Sequence, residues 1–113
     1  MTALALCPVS AVKRAVERVF PHLLPDMIWG TGRSADIVVP RIFAYRALRE
    51  LGMSFPRIGA ALKRDHSTIV HGLRRFDYYR QAHRIQTDLT LQVIKNYAIA
   101  EISEQQRAFG GGA

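Results

Sequence analysis

The chain has 113 residues, 49% of them hydrophobic, one cysteine and a formal charge of +7. That length makes one domain with room for a core, and the lone Cys7 excludes an internal disulfide. No apolar run is long enough to cross a bilayer and the opening Met1–Pro8 lacks the basic start of a secretory signal, so the expected compartment is the cytoplasm, with no membrane partner.

Residues 1–10 read as an N-terminal extension, 11–105 as the folded domain and 106–113, ending in Gly110-Gly-Gly-Ala113, as a flexible tail. Val12, Val16, Val19, Phe20 and Leu23 recur at three-to-four-residue spacing. They predict an amphipathic helix over Ala11–Leu23, capped by Ser10 and ended by Pro21 to Pro25. Trp29 is expected as a core anchor. Gly30–Asp36 is a loop by composition; it lacks the Gly-Lys-Ser/Thr and the βαβ setting of a phosphate loop. Ile37–Pro40 leads into a second amphipathic helix, Arg41–Leu51, with Ile42, Tyr45 and Leu48 inward and Arg41, Arg46 and Arg49 outward. Gly52 is its expected C-terminal cap.

The segment Ser54–Phe76 reads as two helices joined by a tight polar turn. Pro56 suits a first helical turn and Ser54 can cap it, with Ile58, Ala61 and Leu62 on one face. Lys63-Arg64-Asp65 interrupts, and Asp65 is placed to cap a second helix through the N–H of Ser67 or Thr68. In that helix Ile69, Leu73 and Phe76 face the core. Ser67, His71, Arg74, Arg75 and Tyr78 take the other side. A last helix is predicted over 84–105, with Ile85, Leu89, Val93, Tyr97 and Ala100 as its inward stripe, extended by Ile102.

The charge follows this plan. Residues 41–84 hold ten Lys/Arg against three Asp/Glu, the whole net +7, whereas the remainder is neutral. A polar-tipped helix with a basic outer face, after a short helix and a turn, is what a DNA-reading helix-turn-helix requires. Ser67 and Thr68 can reach base edges, His66 a base acceptor or phosphate, Asp65 a cytosine amine, and His71 a base or the backbone. Lys63, Arg64, Arg74 and Arg75 are candidate phosphate contacts, joined by the outward Arg41 and Arg46 and by the backbone amides near Ser54 and Phe55. The blander reading of Asp65 is a cap alone. His66 and His71 are five apart, off the spacing of a helical zinc pair, and no nucleophile stands beside an oriented base. No metal, no cofactor and no enzymatic activity are therefore expected.

Arg64-Asp65-His66-Ser67-Thr68-Ile69-Val70-His71 resembles the signature Arg-Asp-His-(Thr/Ser)-Thr-Val-x-His of the DNA-binding domain of DnaA, the bacterial replication initiator, and Ser54-Phe55-Pro56-x-Ile58-Gly59 fits the same family. The resemblance spans roughly residues 11–100. It implies an all-α fold of about five helices, as in DnaA domain IV and the Trp-repressor-like group, with a small helical turn at Leu24–Trp29. It also implies Asp65, His66, Ser67 and Thr68 as major-groove readers and the Ser54–Pro56 turn as a phosphate contact. Three positions depart from the pattern. The family's basic loop ends in Arg-Pro-Arg, with the first arginine in the minor groove; here Val39 takes that place before Pro40-Arg41, and the loop itself carries only Arg33. Leu62-Lys63 stands where Phe-Gly-Gly is common, and Gly72 where alanine is usual. With no Walker motif in the sequence, ATP hydrolysis is not expected, and the chain reads as the DNA-binding domain standing alone.

Two functions are consistent with this reading. One is sequence-specific binding of double-stranded DNA at DnaA-box-like sites, regulating replication initiation or transcription in the nucleoid. The other is an interaction module whose helix 84–105 pairs with a second copy or docks a replication protein, with weak DNA affinity that is uniform across sequences.

Overall fold

The computed structural model describes residues 8–110, and among these it contains six helices and no strand. Residues 1–7 of the expected N-terminal extension, Cys7 among them, and residues 111–113 of the expected tail lie outside the described residues. Helix α1 spans Pro8–Val19 and buries Ala11, Val12, Ala15 and Val16. It stops short of the expected Leu23 because the residue before Pro21 is driven out of the helical region. Helix α2, Pro25–Trp29, is one turn long with proline at its start and Ile28 buried. Trp29 is only half-buried. Its indole N–H donates to Glu17 Oε2 at 2.7 Å, tying α2 to α1.

Helix α3, Ala35–Glu50, is the central element. It begins well before the expected Arg41 and carries Pro40 inside it. Proline has no N–H to offer the carbonyl one turn back, so sequence rules place a helix start there. Here the ring is fully buried, and the helix runs through it. Ile42, Tyr45 and Leu48 are buried as expected, and Phe43, buried beside them, meets Phe76 edge-on with ring centroids 5.4 Å apart.

Helices α4 (Phe55–Leu62) and α5 (His66–Ala82) form the helix-turn-helix. Ile58, Ile69, Leu73 and Phe76 are buried between them and α3, while Ala61 is exposed. Helix α6 runs from Arg84 to Gly110, past the expected end at residue 105. It lies along α1, where Arg14 pairs with Glu101 and the Arg18 guanidinium sits 4.2 Å from the Tyr97 ring centroid.

The inward face of α6 differs from the expected one at every position but Ile102. Thr87, Leu91, Ile94 and Ala98 are buried, with Ile102 packed beside them. Ile85, Leu89, Val93, Tyr97 and Ala100 are exposed instead. Both sets have helical spacing. The core takes the one whose small members, Thr87 and Ala98, let α6 lie close to its neighbours.

Candidate nucleic-acid interface

The turn between α4 and α5 is closed by backbone. The Arg64 N–H donates to Gly59 O at 2.8 Å and the Lys63 N–H to Ala60 O at 3.4 Å. This is a Schellman closure, and it places Lys63 in the left-handed region, φ 56° and ψ 49°. The same closure ends α3, where Gly52 takes φ +100°. The turn also needs Gly59: a Cβ there would stand 2.7 Å from the Arg64 carbonyl oxygen. About two turns into α5, a Cβ on Gly72 would stand 2.7 Å from the Tyr45 ring, so glycine lets α3 and α5 approach each other.

Ser54 caps α4 as expected, its hydroxyl accepting from the Arg57 N–H at 3.4 Å. Asp65 has the backbone conformation of a cap, φ −64° and ψ 149°, but its carboxylate makes no capping hydrogen bond. That corrects the expected bond to Ser67 or Thr68 and leaves an exposed acceptor at the tip of α5. His66, Ser67, Thr68 and His71 are exposed in the first turns of the same helix. The His66 ring lies 6.0 Å from that of Phe55, which in turn carries the Arg49 guanidinium at 5.1 Å. Sequence reading gave Phe55 only a backbone role. Its ring is also the support for His66, a contact that periodicity cannot reveal because it crosses the turn.

The arginines divide into two groups. Arg74 and Arg75 are exposed on α5, Arg75 lying along Tyr79 with Nη2 2.9 Å from the hydroxyl. Lys63 projects from the turn and is exposed. Arg41, Arg46 and Arg64 are otherwise engaged. Arg41 is buried, not outward as expected. Its Nε donates to Ile28 O, Nη1 to Gly32 O at 2.7 Å and Nη2 to Met27 O at 3.1 Å. The physical reason is that the one-turn α2 leaves its last carbonyls without partners, and a buried carbonyl requires a donor. Arg64 serves the same strand of chain, donating to Trp29 O at 3.1 Å and to Gly30 O. Burial, and then the proximity of Arg64, push the Arg41 guanidinium below its ordinary value. Arg46 pairs with Glu50 at 2.7 Å and lies 5.3 Å from the Phe76 ring centroid. As placed, Arg41 is held by three backbone carbonyls and Arg46 by Glu50, and Arg64 pins the loop to the turn.

Val39 is half-buried and packs on the core, so nothing charged projects from its position. Arg33 is the exposed cation of the loop. Together with Lys63, Asp65, Thr68, His71 and Arg75 it lines a cleft of about 470 Å³. Loop, turn and α5 tip therefore share one surface. A second opening, about 370 Å³, continues along α5 between Arg74, Arg75, Tyr78 and Tyr79. Among the described residues no cluster of His, Cys, Asp and Glu could hold a metal, and no helix is long and apolar enough to cross a membrane.

This arrangement defines a helix-turn-helix DNA-binding domain. Residues 9–75 match the family described as the bacterial dnaA protein helix-turn-helix, and the chain belongs to that family. It is similar to the chromosomal replication initiator protein DnaA of Deinococcus radiodurans, 48% identical over 52 residues, covering 45% of this chain and 11% of that protein. The counterpart from Thermomicrobium roseum is 41% identical over 68 residues, 58% of this chain and 14% of the relative. DnaA 2 of Chlamydia caviae is 35% identical over 66 residues, again 58% and 14%. The matched region thus spans only about a tenth to a seventh of these relatives. No solved structure gives a significant match.

Proposed function

We propose that the chain binds double-stranded DNA sequence-specifically at DnaA-box-like sites, with α5 in the major groove, and that this occupancy regulates replication initiation or local transcription. The observation that carries the reading is the exposed polar tip of α5, Asp65 to His71, set beside the cations Arg33, Lys63 and Arg75 on one surface. Ser67 and Thr68 are short enough to meet base edges, and the Thr68 methyl suits a thymine methyl. The uncapped Asp65 carboxylate is suited to a cytosine amine. His66 and His71 complete the reading set. Lys63, Arg74, Arg75 and the amides near Ser54 and Phe55 hold phosphates, and the exposed Arg57 beside that cap joins them. Arg33 takes the minor-groove role in place of Val39. No catalytic step is assigned.

The test is binding to a duplex bearing a DnaA-type box and to a scrambled duplex of equal composition. A preference of about 10³-fold or more is expected. His66→Ala and Thr68→Ala should erode that preference, whereas Arg74→Ala should weaken both duplexes alike. Equal binding to box and scramble, with no site enriched from random duplexes, would refute the proposal.

A further inference from the structure

The unexplained surface is the outer face of α6. Ile85 is 76% exposed, Leu89 61% and Ile99 45%, in a helix that already buries Leu91, Ile94 and Ala98 on its opposite side. A helix apolar on two opposite faces is one that packs on both. From Ile85 the outer seam continues through Leu89, Gln92, Asn96 and Ile99 to Ser103, with steps of four and three residues in alternation. That is the spacing of a helix packed along another helix. None of the seam residues is charged.

We propose that this seam pairs with the same seam of a second copy, making a two-fold dimer. Three observations select a copy of the chain over a different partner. The two polar groups mid-seam, Gln92 and Asn96, are amides held 2.9 Å apart, and an amide both donates and accepts. Two copies therefore satisfy each other in either helix direction, which a wholly apolar partner would not do. Asparagine at a seam position also favours a two-stranded pair. Finally, the described part of α6 carries Arg84, Lys95 and Arg107 against Asp88, Glu101 and Glu104, so the +7 of the chain does not repel across this face. Neither cleft of the DNA-reading surface is lined by any α6 residue, so pairing leaves α5 uncovered.

The seam is about 27 Å long at 1.5 Å per residue, and a single helix pair of that length covers less than the roughly 800 Å² per partner of a firm complex. The dimer is accordingly a weak, reversible one in solution. The inference rests on the DNA-binding reading only for its consequence, paired binding at two adjacent sites; the dimer is tested without DNA.

Sedimentation equilibrium of the whole chain across the micromolar to millimolar range should show a monomer–dimer equilibrium. Leu89→Glu acts twice in a two-fold dimer and should weaken it by about 100-fold or more. Its thermal melt should stay close to that of the parent, because Leu89 faces away from the core. Asn96→Leu provides a second reading that keeps the helix and the seam. It should alter the partner number or the affinity if Asn96 is buried between copies, and neither if it faces water. A chain that stays monomeric throughout overturns the proposal, as does a dimer that Leu89→Glu leaves intact.

Discussion

Lys63 offers a substitution that should move stability and DNA binding in opposite directions. It is an exposed residue at φ 56°, in a turn whose counterpart after α3 uses Gly52. An L-residue in that region loses about 1–2 kcal/mol to contact between its Cβ and the following carbonyl. Glycine removes the contact but has more freedom in the unfolded chain, worth about 0.5–1 kcal/mol against it. Lys63→Gly should therefore stabilise the domain by about 0.5–1 kcal/mol, or roughly 2–5 °C in Tm for a domain of this size. Lys63→Ala keeps the strained backbone and serves as the control for the lost charge. Thermal melts followed by far-UV circular dichroism compare the three proteins. Under the proposed DNA mode both variants lose a phosphate contact and should bind every duplex about 3- to 10-fold more weakly, without change in sequence preference. If Lys63→Gly melts at or below Lys63→Ala, the strain argument is wrong.

Other positions give sharper structural tests. Gly59→Ala should destabilise by about 1–3 kcal/mol despite the better helix propensity of alanine, because the new Cβ meets the fixed carbonyl of Arg64; denaturant unfolding measures it. Gly72→Ala meets the buried Tyr45 ring instead, so Tyr45→Leu in the same chain should recover part of the loss, giving a coupling of about 1 kcal/mol in a double-mutant cycle. Burial opposes ionisation of Glu50, yet hydrogen bonds from Lys95 and Arg46 outweigh it and hold the carboxyl below its ordinary range. Its contribution is therefore present above that range and is lost as pH falls through the depressed value, so melting curves across acid pH should show a shallower decline in Glu50→Gln.

The helix-turn-helix was legible in the sequence because its signals are local: Ser54 and Pro56 open α4, the polar break closes it, and Ile69, Leu73 and Phe76 fix the face of α5. What escaped sequence reading depends on distant partners. Charge suggests that Arg41 faces water; the unpaired carbonyls of α2, more than ten residues away, draw it inside. A proline suggests a helix start; a buried site for the Pro40 ring overrides that rule. For α6, two interleaved apolar sets satisfy one periodicity, and only the shapes of α1, α3 and α5 choose between them. The Asp65 cap was half legible. The backbone obeys the rule, and the side chain does not.

The clamp on the α2 carbonyls changes how the basic character of the chain should be counted. Of the ten cations in residues 41–84, Arg41 and Arg64 hold backbone oxygens, Arg46 pairs with Glu50, and Arg80 and Arg84 share Asp88. Arg49 leans on Phe55. Four remain for a polyanion, Arg57, Lys63, Arg74 and Arg75, with Arg33 from the loop as a fifth. Each phosphate neutralised by such a group frees close to one condensed counterion from the duplex. The affinity of this protein should therefore fall with a log–log salt slope of about −4.5, far from the roughly −9 that ten cations would give. Formal charge measures the electrolyte in the sequence; the slope measures how much of it the fold leaves without a partner of its own.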